Sequence, residues 1–235
     1  MRQTLVYDLR DRLRAWGTTI DFDNSILQNM YQTRCVVDAE NNSYSIGAVI
    51  SIIHANALYH SVMTFKPRVV LEVGMAYGAS SLAILTALRD LGQNGSLISI
   101  DPFQSTHWHN IGILNIQRSN LAKSHTVIEQ YDYLALPRLL EQGHSIDLAY
   151  IDGNHEFDYA LLDFFYIDKM LGVGGVVAFN DCALPAVKRV LSFVRKVRAY
   201  KELDVGLKPN YLTKKHTLRN ALTLTSKQDR YFQKL

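Results

Sequence analysis

Residues 68–81 read RVVLEVGMAYGASS, a β-branched run, an acid, and two glycines four positions apart that lead into a helix-like segment. The run has the length and residue types of a buried strand. Gly74 and Gly78 permit a sharp turn and let the backbone approach a ligand with no Cβ in between. The same pattern repeats along the chain. SLISI (96–100), HTVIEQ (125–130), IDLAYI (146–151) and GVVAF (175–179) are further strand candidates. Helix-length segments separate them: SSLAILTALRDL, GILNIQRSNLA, YLALPRLLEQ and FDYALLDFFYIDKML, with LPAVKRVLSFVRKV after the last. Near-continuous apolar strands alternating with helices predict an α/β, doubly wound, mostly parallel sheet with helices on both faces. KELDVGL and TLRNALTLT are two weaker strand candidates for the sheet edge.

The segment before this pattern reads differently. Residues 1–65 are read as mainly helical, from Leu5, Leu9 and Leu13 and from AVISIIHANALYHSVM, with polar DAENNSYS as a loop between. The expected organisation is a helical segment over 1–65 and a ligand-binding domain over 66–235.

With 235 residues, 48% hydrophobic and 20% charged, the chain matches one globular unit and not a disordered or fibrous protein. Cys35 and Cys182 match neither a metal-binding pair nor a disulfide framework, which points to a reducing compartment. MRQTLVYDLRDRLRAW is broken by charges too often for a signal peptide or a membrane span, so a cytoplasmic location and no membrane partner are expected. Residues 185–235 carry 13 Lys/Arg against three Asp/Glu, whereas residues 1–184 carry 12 against 19. Such a basic segment can contact nucleic acid. It lacks regular aromatic platforms, so a solvated surface is the stronger reading and nucleic-acid binding the alternative.

Sheets of this kind bind ligands beyond the carboxyl ends of their strands. Ala76 stands where a dinucleotide fingerprint has its second glycine, and Glu72 precedes the first, which suits a cationic ligand better than a pyrophosphate. Asp101, in SIDPF, stands where a carboxylate accepts hydrogen bonds from ribose hydroxyls. On LEVGMAYGASS, ISIDPF, IDGNHEFDYALLD and LGVGGVVAFNDC, residues 65–198 resemble the Rossmann-like class I S-adenosylmethionine-dependent methyltransferases, and within them the small-molecule O-methyltransferase branch. The resemblance implies that Glu72, Gly74 and Gly78 line the methionine end of the cofactor. It further implies that Ser80 bonds the methionine carboxylate, Asp101 the ribose and Asp132 the adenine, with Tyr44 and Ser45 in a lid. Ser80 reads equally well as a helix cap, and QYDY around Asp132 departs from the family's small-residue pattern.

Methyl transfer to a hydroxyl needs alignment and a means of removing the proton, either a base or a divalent metal. Asp152 follows the fourth strand, and Asn180 and Asp181 follow the fifth, so adjacent strands bring the three together as oxygen ligands for Mg²⁺ or a similar cation. In several relatives the acid precedes the amide, the reverse of Asn180–Asp181, and a metal-free site is the alternative. His155, three residues after Asp152, is the candidate base; Glu156 reads as a helix-end residue. HWHN (107–110) reads either as a stacking surface for a flat acceptor or as a packed Trp108 with exposed histidines. His54 and His60 read as packing partners. The acceptor is expected to be a small molecule, and helices within residues 1–60 are candidates for a homodimer contact.

Overall fold

The computed structural model describes residues 19–47, 49–207 and 229–235. The helix expected around Leu5, Leu9 and Leu13 and the strand expected at TLRNALTLT lie outside these residues. In chain order the elements are α1 (Ser25–Thr33), β1 (Cys35–Val37), β2 (Ser43–Ser45), α2 (Ile52–Phe65), β3 (Val69–Val73), α3 (Ala79–Asp90), β4 (Ser96–Ile100), α4 (Ile111–Arg118) and β5 (His125–Ile128). Then follow α5 (Asp132–Glu141), β6 (Ile146–Ile151), α6 (Phe157–Met170), β7 (Leu171–Phe179), α7 (Pro185–Val197), β8 (Tyr200–Leu203) and β9 (Arg230–Lys234).

Seven strands form one sheet in the order β5-β4-β3-β6-β7-β9-β8. The first five are parallel, while β9 runs antiparallel to both β7 and β8. Every strand expected from the apolar runs is present. The chain leaves β3 for β4 on one side and returns to β6 on the other, so the carboxyl ends of β3 and β6 flank the point where the strand order reverses.

Each sheet face carries its own core. On one, Val70, Leu148, Tyr150 and Val176 pack with α2, α3 and the segment around Ile20–Ile50. On the other, Leu71, Ala149, Val177 and Phe232 pack with α5, α6 and α7. The aromatic run of α6 packs on that second face through Ala160, Phe164, Ile167 and Met170, as its helical spacing predicts. The described part of the N-terminal segment thus shares a core with the sheet, and besides α1 and α2 it holds a strand pair that the helical reading did not include. Cys35–Val37 and Ser43–Ser45 pair as a small antiparallel hairpin. Asp38 holds the turn, its Oδ1 accepting from the backbone N–H groups of Glu40 and Asn42, so DAENNSYS is both the turn and the second strand.

Candidate active site

Three backbone hydrogen bonds extend the parallel pairing one residue beyond the strands. Gly74 N–H donates to Ile100, Asp152 N–H to Val73 and Asn180 N–H to Ile151, at 2.8–2.9 Å. The loops after β3, β6 and β7 therefore start side by side. Gly74 is required there: its φ is +84°, and a Cβ on it would lie 2.2 Å from the Asp152 carbonyl oxygen. Gly153 answers from the other loop, where a Cβ would meet a Val73 methyl at 2.9 Å. Beyond these contacts opens a cleft of about 560 Å³.

One part of the cleft is lined by Gly74, Met75, Ala76, Ser80, Asp101, Phe103, Tyr131 and Asp132. Asp101 is buried and holds the glycine loop: its Oδ2 accepts from Met75 and Ala76 N–H (3.0 and 2.8 Å) and from the Gln104 amide (3.1 Å). This fixes Ala76 at φ +46°, a left-handed conformation that a residue with a Cβ adopts only when held. Asp101 Oδ1 accepts from Phe103 N–H and has a further lone pair for a ligand hydroxyl. Ser80 borders the cleft in the first turn of α3, a helix whose N-terminus has no side-chain cap. The capping reading of Ser80 therefore does not apply, and this end of the helix suits a carboxylate.

Glu72 and Gly78 stand behind the wall instead of on it. Glu72 is fully buried, with Oε2 accepting from the hydroxyls of Ser81 (2.5 Å) and Ser99 (2.6 Å). Burial raises its carboxyl from 4.5 to about 7 against the opposing pull of Ser80, Ser81 and Ser99. Gly78 serves packing: a Cβ would lie 3.1 Å from the Gly112 carbonyl at the start of α4. Tyr44 and Ser45 lie on β2 away from the cleft, where the Tyr44 hydroxyl donates to Asp38 and its ring stacks on His109. Of HWHN, Trp108 lines the cleft and packs edge-on against Tyr77.

The other part of the cleft contains Val49, Ile50, His54, Asp152, His155, Asn180 and Asp181. His155 Nε2 lies 3.5 Å from Asp152 Oδ1 and 3.9 Å from Asp181 Oδ2, so one imidazole faces two carboxylates. Asn180 is buried and its amide donates to the Tyr150 hydroxyl (3.1 Å) and to Asp229 Oδ1 (3.0 Å). Asp152, Asp181 and the Asn180 amide oxygen have the chemistry Mg²⁺ prefers. In this arrangement His155 Nε2 faces both carboxylates, and among the described residues no group of three or more His, Cys, Asp or Glu is placed to hold a metal.

Two participants escaped the sequence. His54, expected to be a packing partner, borders the cleft with Nδ1 3.7 Å from Asp229 Oδ1; His60 instead bonds Asp21 at 2.8 Å. Asp229 is buried, accepts from Tyr150, and is raised from 3.8 to about 6 by burial, which the His54 charge opposes. No local motif surrounds Asp229; only the pairing of β9 with β7 brings it here.

Residues 71–182 match the family model described as a methyltransferase domain. An uncharacterized protein of Acanthamoeba polyphaga mimivirus is 26% identical over 175 residues, covering 67% of this chain and 76% of that protein. Among solved structures, the O-methyltransferase from Bacillus cereus in complex with SAH superposes with a TM-score of 0.64 at 16% identity, over 86% of this chain and 91% of its own. The SAH-bound Podospora anserina methyltransferase gives 0.66 at 14% identity, over 97% and 96%. At these identities the structures are alike in fold. No helix among the described residues is long and apolar enough to cross a membrane.

Proposed function

We propose, from the match of residues 71–182 to a methyltransferase domain and from the geometry of the cleft, that the protein is an S-adenosylmethionine-dependent methyltransferase that methylates a hydroxyl of a small molecule, with His155 as base. The observation that carries this reading is the His155 imidazole facing both Asp152 and Asp181 in the same cleft as Gly74, Asp101 and Asp132. S-adenosylmethionine supplies a methyl group on a positively charged sulfur. Gly74 and Ser80 would hold its methionine end, with the carboxylate toward the N-terminus of α3, while Asp101 Oδ1 would accept from a ribose hydroxyl and Asp132 from the adenine.

The acceptor enters beside Val49, Ile50 and His54. There His155 would take the proton of the acceptor hydroxyl as its oxygen gains the methyl group that the cofactor supplies. The positive charge gained by the ring is matched by the two carboxylates. On transfer the sulfur would keep the bonding electron pair and leave as a neutral thioether.

A second reading keeps the cofactor and adds a divalent cation such as Mg²⁺ held by Asp152, Asn180 and Asp181. Three oxygen-bearing side chains at adjoining strand ends support it. Incubation with methyl-labelled S-adenosylmethionine and a panel of phenols and glycosides tests both. The first reading expects label in a hydroxyl and unchanged turnover in excess EDTA. Loss of turnover in EDTA, with restoration by Mg²⁺, selects the second. Absence of cofactor binding contradicts both.

A further inference from the structure

Helix α6 buries Ala160, Phe164, Ile167 and Met170 against the sheet, and Asp163 falls on the same stripe. An acid among apolar contacts of this kind is costly unless paired or neutralised. Asp163 is completely buried, and neither carboxyl oxygen has a hydrogen-bond donor within reach among the described residues. The group it faces is another acid, Asp132, the first residue of the adjacent helix α5. Asp132 is also buried, but it borders the cleft, and its Oδ1 accepts from Tyr133 N–H at 2.7 Å.

Two carboxyl groups in contact away from water do not both ionise. A shared proton solves both problems, since a protonated carboxyl becomes a donor and its neighbour is the acceptor at hand. Of the two, Asp163 is the one farther from water. Burial, then the Asp132 charge and the contact with it, push the Asp163 carboxyl well above the usual range.

We infer that Asp163 is a positioning residue for the cofactor: its carboxyl donates a hydrogen bond to Asp132 and so holds Asp132 as an acceptor aimed at the exocyclic amino group of adenine. The inference rests on the reading that Asp132 meets the adenine. Asp163 also sits under the loop that carries His155. A Cβ on Gly153 would be 3.9 Å from Asp163 Oδ2, so the same carboxyl underlies both the adenine contact and the base loop.

The test is calorimetric titration of the full chain with S-adenosylhomocysteine and with its inosine analogue, in which an oxo group replaces the amino group. Asp163→Asn retains a donor and is expected to bind S-adenosylhomocysteine within about threefold of wild type. Asp163→Leu removes the donor and is expected to weaken binding about tenfold, with most of the discrimination against the inosine analogue lost. Replacement of a buried acid by a hydrocarbon of similar size leaves the melting temperature unchanged or higher. A purely structural Asp163 predicts the opposite pattern, a lowered melting temperature with both affinities intact, and that result overturns the inference. So does an Asn variant as weak as the Leu variant.

If the Leu variant does not fold, infrared spectroscopy decides. Wild type must show the carbonyl stretch of a protonated carboxylic acid that Asp163→Asn lacks; identical spectra overturn the inference. Failure of wild type to bind S-adenosylhomocysteine at all overturns the cofactor reading itself, and this inference with it.

Discussion

At the scale of single residues, the site separates side chains that line the cleft from those that hold others in place. His155 belongs to the first kind, flanked by Asp152 and Asp181. His155→Ala is expected to lower kcat by about 10²–10⁴-fold, as loss of a positioned base does, while S-adenosylhomocysteine affinity is retained. Parallel turnover and binding measurements check this, and full turnover in the variant removes His155 from the chemistry. Glu72 belongs to the second kind. Its folded carboxyl, raised to about 7, holds a proton that the unfolded chain releases near 4.5. The folded state thus binds more protons across that interval, so stability is greatest below it and falls as pH rises toward 7. Asp229, raised from 3.8 to about 6, adds a decline in the same direction. Glu72→Gln is expected to flatten the fall of melting temperature between pH 5 and 7. A wild-type melting temperature that climbs over this interval contradicts the assignment. Asp152, His155 and Asp181 were legible because each ends a recognisable strand or follows one closely. His54 and Asp229 were not, since their meeting depends on β9 returning to the sheet across 175 positions of sequence.

At the scale of elements, β4 and β6 fall on the residues the apolar runs predict, Ser96–Ile100 and Ile146–Ile151, because buried parallel strands have little sequence freedom. The first hairpin was hidden: its strands are three residues each, too short for a period to register, and Asp38 stabilises it by side-chain bonds to the turn. β9 was hidden for another reason, as RYFQK mixes charged and aromatic residues on an antiparallel strand beside the sheet's edge. The glycine loop was legible as a loop, but the division of labour in it was not. Gly74 admits the Asp152 backbone and Gly78 admits Gly112. Gly74→Ala is expected to cost about 3 kcal/mol, the sum of left-handed backbone strain and overpacking, because the carbonyl it meets belongs to a neighbouring strand end and cannot yield easily. Chemical denaturation measures this; a variant as stable as wild type shows that the two loops can separate.

At the scale of the whole molecule, the sheet sets two strand ends, β3 and β6, on either side of its reversal point and covers each face with helices. Polar groups are delivered to one rim, while the segment around Ile20–Ile50 shares the core of one face and contributes Val49, Ile50 and, from α2, His54 to the cleft. The basic helix α7 packs on the other face, away from the lining of that cleft. Backbone hydrogen exchange, followed with and without S-adenosylhomocysteine, tests the central claim most directly. The account predicts slowed exchange in residues 74–80, 101–104 and 131–133, with α7 unchanged. Exchange unaffected by the ligand, or protection confined to α7 around Lys188 and Arg195, would contradict it.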